Sequence, residues 1–149
     1  MPKTEEFRLQ SVLNLKVSLV DNLEVEFAHL RVAYQQEVER LDNLQHRTTD
    51  EMELLSQQQQ SGSLDCKDIQ LRQQYLQRLV ESIVQQNLRV KQAEQHMETK
   101  REELVKMMQD QKTLEKLREH HDAKQRQFLL RREAGMVDDI VTTRYGRER

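Results

Sequence analysis

The chain has 149 residues, of which 34% are charged, 36% hydrophobic and 4% aromatic, and its formal net charge is −2. This composition has too little apolar content for a globular core, but it suffices for a narrow apolar seam between helices. The single cysteine, Cys66, excludes an internal disulfide. Because there is also no signal-peptide core and no apolar run near the ~20 residues of a membrane span, we expect a soluble cytosolic protein.

Helix-breaking residues are confined to the ends of the chain and to one internal stretch, Gln57–Asp68, which has Ser61-Gly62-Ser63 at its centre. A disordered chain of this composition would instead have Pro and Gly scattered throughout and no apolar periodicity. We therefore predict a single all-α domain over residues 1–149, a long two-helix antiparallel coiled-coil hairpin. Its expected parts are helix 1 (about 4–59), a turn (about 60–66), helix 2 (about 67–143) and a short frayed tail (144–149).

The first arm opens with Pro2 and Thr4, which suit a helix start, and its apolar residues then recur in alternating steps of four and three. Ten of the 14 positions on this ladder are apolar or aromatic: Leu9, Leu13, Lys16, Val20, Leu23, Phe27, Leu30, Tyr34, Glu37, Leu41, Leu44, Thr48, Glu51 and Leu55. A 3.5-residue repeat held over about 46 residues predicts a left-handed coiled-coil seam.

The N-terminal half of this arm has more apolar residues than one seam requires. Those off the ladder are Val12, Leu15, Val17, Leu19, Val25, Ala28 and Val32. Either they widen the face that packs against the second helix, or they form a docking surface for another protein.

The return arm carries a ladder of the same length: Ile69, Arg72, Leu76, Leu79, Ile83, Gln86, Val90, Ala93, Met97, Lys100, Leu104, Met107, Gln111 and Leu114. Two equal ladders around a polar turn predict that residue i of the first arm lies opposite a residue near 127 − i. From about Asp122 onward the return arm then has no partner, although apolar residues still recur at roughly helical spacing. We predict an overhanging C-terminal helix that either frays when free or packs against another protein.

No segment has the pattern of a catalytic, cofactor or metal site, since there is no Gly-rich phosphate loop, HExxH motif or pair of cysteines. The adjacent His120 and His121 point about 100° apart on a helix and cannot chelate one ion together. The segment Lys112–Arg132 has seven Lys/Arg and three Asp/Glu, whereas nucleic-acid binding requires a stronger basic patch with several aromatics for stacking on single strands. We expect this basic helix to meet an acidic protein surface, with no cofactor, metal or nucleic acid bound.

Three segments of the chain carry a family resemblance. They are the opening FRLQSVLNL (Phe7–Leu15), the QQYLQRLVESI stretch after the turn (Gln73–Ile83), and the tail with Arg131-Arg132-Glu133, Asp138-Asp139-Ile140 and Arg144-Tyr145. In this order and spacing they resemble the flagellar FliJ family. The stalk proteins of virulence-type secretion systems share the same architecture and are the nearest alternative.

The resemblance implies a non-enzymatic cytoplasmic component of the flagellar type III export apparatus, peripherally associated with the inner membrane at the flagellar base. The family is similar to the central stalk of rotary ATPases. The resemblance implies that the end bearing both termini enters a hexameric export ATPase and promotes its assembly and activity. It also implies binding of export chaperones, and contact between the region near the turn and the cytoplasmic domain and linker of the membrane export gate.

By position, the gate contacts implied by the resemblance fall on Leu44, Tyr75 and Leu79. For the ATPase-facing end we select five apolar residues near the termini: Val12, Leu19, Phe128, Met136 and Ile140. The alternative function is a generic coiled-coil scaffold that self-associates through its apolar N-terminal half.

Overall fold

The computed structural model describes residues 5–62 and 65–147. These residues form two α helices, α1 (Gln10–Gln60) and α2 (Cys66–Arg147), and no strand occurs among them. The helices pack against each other in antiparallel orientation, which confirms the predicted all-α hairpin.

The residues that the two helices bury between them are those of the two apolar ladders. The buried side chains of the described residues all occupy ladder positions: Leu13, Val20, Thr48, Leu79, Gln86 and Leu104. Of the other ladder residues, only Leu9 is exposed. The 3.5-residue repeat therefore identified the packed face of both helices.

The chain divides into two compact units, and both helices run through both of them. Unit 1 comprises Met1–Asp21 and Val105–Arg149, and unit 2 comprises Asn22–Leu104. Pairs across the seam are Glu51–Arg72, Glu37–Gln86 and Glu26–Lys100 in unit 2, and Lys16–Asp110 and Phe7–His121 in unit 1. The two residue numbers of each pair total between 123 and 128. The predicted total of 127 is therefore correct to within about one helical turn.

The turn between the helices follows from its residues. The backbone N–H of Ser61 donates to the Gln57 carbonyl at 3.0 Å, and Gly62 follows with a φ of 70°. This left-handed conformation closes a helix C-terminus, and glycine adopts it without a steric penalty. Beyond it, the Asp65 carboxylate accepts a hydrogen bond from the Lys67 N–H at 3.1 Å and caps the start of α2. Ser63, at the centre of the predicted turn, lies outside the described residues.

The N-terminal segment differs from the expected helix. We expected helix 1 to start near Thr4, which with Pro2 lies outside the described residues, but residues 5–9 are not helical and α1 begins at Gln10. The Gln10 N–H donates to the Phe7 carbonyl in a turn, and the Phe7 ring packs on His121 with ring centroids 5.6 Å apart. This segment is thus held by contact with α2 instead of by helical hydrogen bonds.

The C-terminal helix is longer than expected. It continues to Arg147, past the expected end near residue 143, and residues 144–147 are helical where we expected a frayed tail. Gly146 lies in this last turn, and even in a helix interior a glycine costs only about 1 kcal/mol relative to alanine. A glycine destabilises a helix less than a proline does, so the helix continues through this position.

Candidate partner-binding surfaces

The three residues selected for gate binding lie together in unit 2. The residue numbers of Leu44 and Leu79 add up to 123. The flanking pairs Glu51–Arg72 and Glu37–Gln86 have the same sum, so Leu44 and Leu79 occupy facing positions across the seam. Leu79 is only 5% exposed and Leu44 is partly buried, whereas Tyr75, one turn from Leu79, is 43% exposed. Only Tyr75 therefore offers a large part of its side chain to a partner.

Unit 2 also exposes apolar residues that the sequence analysis did not select. Leu71 is exposed one turn before Tyr75, and Val80, Val84 and Leu88 are exposed at steps of four along α2. Because Val84 follows Tyr75 by nine residues, it lies about 180° around the helix from it. Unit 2 thus has apolar residues on two opposite sides of α2. Their off-ladder positions were the signal in the sequence that could have identified them.

Some of the surplus apolar residues of α1 widen the face packed against α2, and the others are available as a docking surface. Val17 and Leu19 are partly buried, so they widen the packed face. The others are exposed and are free to form a docking surface: Val12, Leu15, Val25, Ala28 and Val32. Of the residues selected for ATPase binding, Val12 is thus exposed and Leu19 is partly covered.

The end of α2 in unit 1 exposes several apolar residues along one side of the helix. Every described residue from 130 to 147 is exposed. Six apolar residues fall within an arc of about 140° around the helix axis, and we call them the apolar arc: Leu129, Leu130, Met136, Val137, Ile140 and Val141. The selected residues Met136 and Ile140 lie one turn apart in this arc.

Phe128 does not share the face of the apolar arc. It precedes Met136 by eight residues and therefore lies about 80° around the helix from it. Its side chain is 59% exposed and lines a groove of about 520 Å³. The groove residues are Glu5, Lys124, Gln125, Gln127, Phe128, Arg131 and Arg132, and we call this site the basic groove. The residues selected at this end thus divide over two faces of α2.

Comparison with known proteins gives one match. A family model described as "Flagellar FliJ protein" matches residues 5–149. The chain belongs to the flagellar FliJ family. Its members are structural components of the flagellar type III protein export apparatus, so the resemblance seen in the three sequence segments is confirmed at the level of the family. Neither the curated proteins nor the solved structures gave a match.

Among the described residues of this FliJ-family chain, polar contacts shift the pKa values of two side chains, Lys100 and His46. The Lys100 amine lies 2.9 Å from the Glu26 carboxylate and 3.3 Å from that of Glu103, and these hydrogen bonds raise the pKa of Lys100. The His46 ring nitrogen lies 2.9 Å from the Asp42 backbone carbonyl, which with the nearby Asp42 carboxylate raises the pKa of His46. Neither shift is caused by burial, so neither marks an enclosed reaction centre.

Two further observations concern metals and membranes. Within residues 5–62 and 65–147, no group of three or more His, Cys, Asp or Glu side chains is arranged to hold a metal ion. In the same part of the FliJ-family chain, neither helix has a stretch apolar enough to cross a lipid bilayer.

Proposed function

We propose that this FliJ-family protein is a cytoplasmic coiled-coil stalk that promotes the assembly and activity of the hexameric flagellar export ATPase and links it to the membrane export gate. The observation that carries the proposal is the apolar arc of α2, in which every residue except the partly buried Leu129 is exposed. Exposed apolar surface costs about 25 cal/mol per Å² relative to a buried state. Exposed apolar residues that share one side of a helix in this way are typical of a surface that a partner protein covers.

The ATPase-facing surface in this proposal comprises Val12 and Leu19 of α1 and Met136 and Ile140 of α2, with Phe128 on a second face. Val12, Phe128, Met136 and Ile140 are exposed, and all five residues belong to unit 1. Attachment to the inner membrane is then peripheral and takes place through the export gate.

Truncation after Arg131 tests the ATPase contact. It removes Met136 and Ile140, together with most of the apolar arc, but no residue of the packed ladders, so helicity upstream is retained. We expect stimulation of ATP hydrolysis by the purified export ATPase to be lost. Stimulation equal to that of the full chain would refute the assignment.

A point variant separates the apolar arc from the length of the helix. Met136→Glu/Ile140→Glu places two charges in the arc, and we expect it to abolish stimulation. The matched control is Thr142→Glu, because Thr142 is exposed and lies about 200° around the helix from Ile140. An equal loss of stimulation in both variants would show that added charge, and not the arc, is responsible.

The gate-facing surface in this proposal is centred on Tyr75. Leu44 and Leu79 support it from the seam, since both are at least partly buried. Export chaperones are further proposed partners, and no residue is assigned to them. Loss of binding to the cytoplasmic domain of the gate in Tyr75→Ala is the expected result.

Self-association is the second candidate function. The exposed apolar residues of α1 favour it: Val12, Leu15, Val25 and Val32. A mass that rises with protein concentration in analytical ultracentrifugation, and falls back in Leu15→Glu, would support a self-associating scaffold. A monomeric mass over the same concentrations favours the stalk.

A further inference from the structure

We infer that the basic groove of unit 1 binds an acidic segment of a partner protein, with Phe128 as the apolar anchor of the site. Three cations and one aromatic ring of α2 line this groove together with Glu5, which belongs to the non-helical N-terminal segment. The groove lies at the end of the chain assigned above to the export ATPase. The inference rests on that proposed function for the identity of the partner, and on the groove itself for the chemistry of the segment.

The cations of the groove are set close together and form no ion pair with the described residues. Lys124, Arg131 and Arg132 occupy positions i, i+7 and i+8, which places them within about 100° of one another around α2. Among the described residues, no carboxylate lies within 4.0 Å of any of the three. Like charges on one helix face repel. Carboxylates from a partner relieve this repulsion, and the arginine fork matches their two oxygens.

Phe128 gives the groove an apolar component. It lies between the cations on the same face and is 59% exposed. An exposed aromatic ring flanked by charges is the usual form of a binding anchor, because the ring buries a large area with little loss of side-chain entropy. The complementary ligand is therefore a peptide segment with several Asp or Glu residues around one apolar or aromatic side chain.

The arrangement favours a protein segment over other anionic partners. Nucleic acid needs a longer cationic track and several aromatic rings, whereas this groove has only Phe128. An anionic bilayer would take up the apolar arc with the cations at its borders. The centre of the arc lies about 160° around α2 from the centre of the basic groove, so one flat surface cannot contact both.

Glu5 acts in the groove as a competitor within the chain. It is the acidic residue that lines the groove, and it belongs to the segment that Phe7 holds against His121. Neutralising Glu5 should therefore strengthen the binding of an acidic segment. Glu6 provides a matched control, because it has the same charge and lines a neighbouring groove but not this one.

The test is fluorescence anisotropy with the full chain and a fluorescein-labelled synthetic peptide of glutamates around one central phenylalanine. We expect saturable binding that weakens with salt, about tenfold weaker in Arg131→Glu/Arg132→Glu and about threefold to tenfold weaker in Phe128→Ala. We expect Glu5→Gln to bind about twofold to threefold more tightly and Glu6→Gln to stay within about twofold of the unchanged chain. Lys116→Glu should also stay within about twofold, because Lys116 is an exposed cation of α2 that does not line the groove. Circular dichroism checks that each variant keeps its helicity.

Several results would overturn the inference. The first is equal peptide binding by the unchanged chain and by Arg131→Glu/Arg132→Glu, and the second is equal tightening by Glu5→Gln and Glu6→Gln. The third is groove-dependent binding of a single-stranded oligonucleotide or of anionic phospholipid vesicles in place of the peptide. Stimulation of the ATPase, measured in parallel, separates this inference from the proposed function. If the chain stimulates the ATPase fully but does not bind the peptide, only the inference about the basic groove is refuted. If the chain binds the peptide but does not stimulate the ATPase, only the proposed ATPase contact is refuted.

Discussion

Leu79 and Tyr75 lie one turn apart on α2 but in different surroundings, so alanine at each position should separate folding from partner binding. Leu79 is 5% exposed, so Leu79→Ala removes a side chain whose full burial contributes about 1.5–3 kcal/mol. With the cavity that remains, we expect the free energy of unfolding to fall by about 2–4 kcal/mol. Tyr75 is 43% exposed, and we expect Tyr75→Ala to lower this free energy by about 1 kcal/mol or less.

The assay pairs urea unfolding, followed by far-ultraviolet circular dichroism, with binding to the purified cytoplasmic domain of the export gate. We expect Tyr75→Ala to keep its unfolding midpoint near that of the unchanged chain and to bind the gate about tenfold more weakly. Gln77→Ala, which changes another exposed position of the same helix, is the control. Equal destabilisation by Tyr75→Ala and Leu79→Ala would refute the argument from burial, and unchanged gate binding by Tyr75→Ala would refute its role as a contact.

Three other substitutions test the packing, the turn and the ion pairs. The Gln86 amide donates to the Glu37 backbone carbonyl at 2.9 Å and to its carboxylate, so Gln86→Ala should lower the free energy of unfolding in urea by about 1–3 kcal/mol. Gly62 has a φ of 70°, so Gly62→Ala should cost about 1–2 kcal/mol in the same assay and Gly62→Asn less. Contacts with Glu26 and Glu103 raise the pKa of Lys100, so the charged amine stabilises the fold at every pH below the ordinary lysine pKa. This stabilisation is lost as the pH rises through the raised pKa. In thermal unfolding at alkaline pH, the melting temperature of Lys100→Met should therefore decrease less with rising pH than that of the unchanged chain.

The seam of the hairpin was predictable because its signal is local and repeated. Each ladder residue recurs after three or four positions, and a periodicity held over fourteen positions leaves one face that two helices can share. The facing pairs followed from the position of Gly62, since one turn fixes the register of both arms. Even polar ladder members such as Thr48 and Gln86 are buried where the repeat places them.

The surfaces were less predictable because they depend on the angular position of each side chain and on contacts distant in sequence. Phe128 shares its apolar character with Met136 and Ile140, but it precedes Met136 by eight residues and therefore lies on a different face of the helix. The non-helical segment at residues 5–9 depends on the contact between Phe7 and His121, which are far apart in the chain. The repeat within one arm carries no information about such a contact.

The two faces at the end of α2 limit the kind of partner that can use both. The apolar arc and the basic groove point about 160° apart, so a single helix or a flat surface that covers one leaves the other in water. Covering only the arc leaves the three cations of the groove without carboxylates, and covering only the groove leaves the arc exposed. A partner that surrounds the helix can satisfy both faces at once, and a hexameric ring has that geometry. The division of this helix end into two opposite faces therefore favours the ATPase ring of the proposed function over a partner that binds from one side.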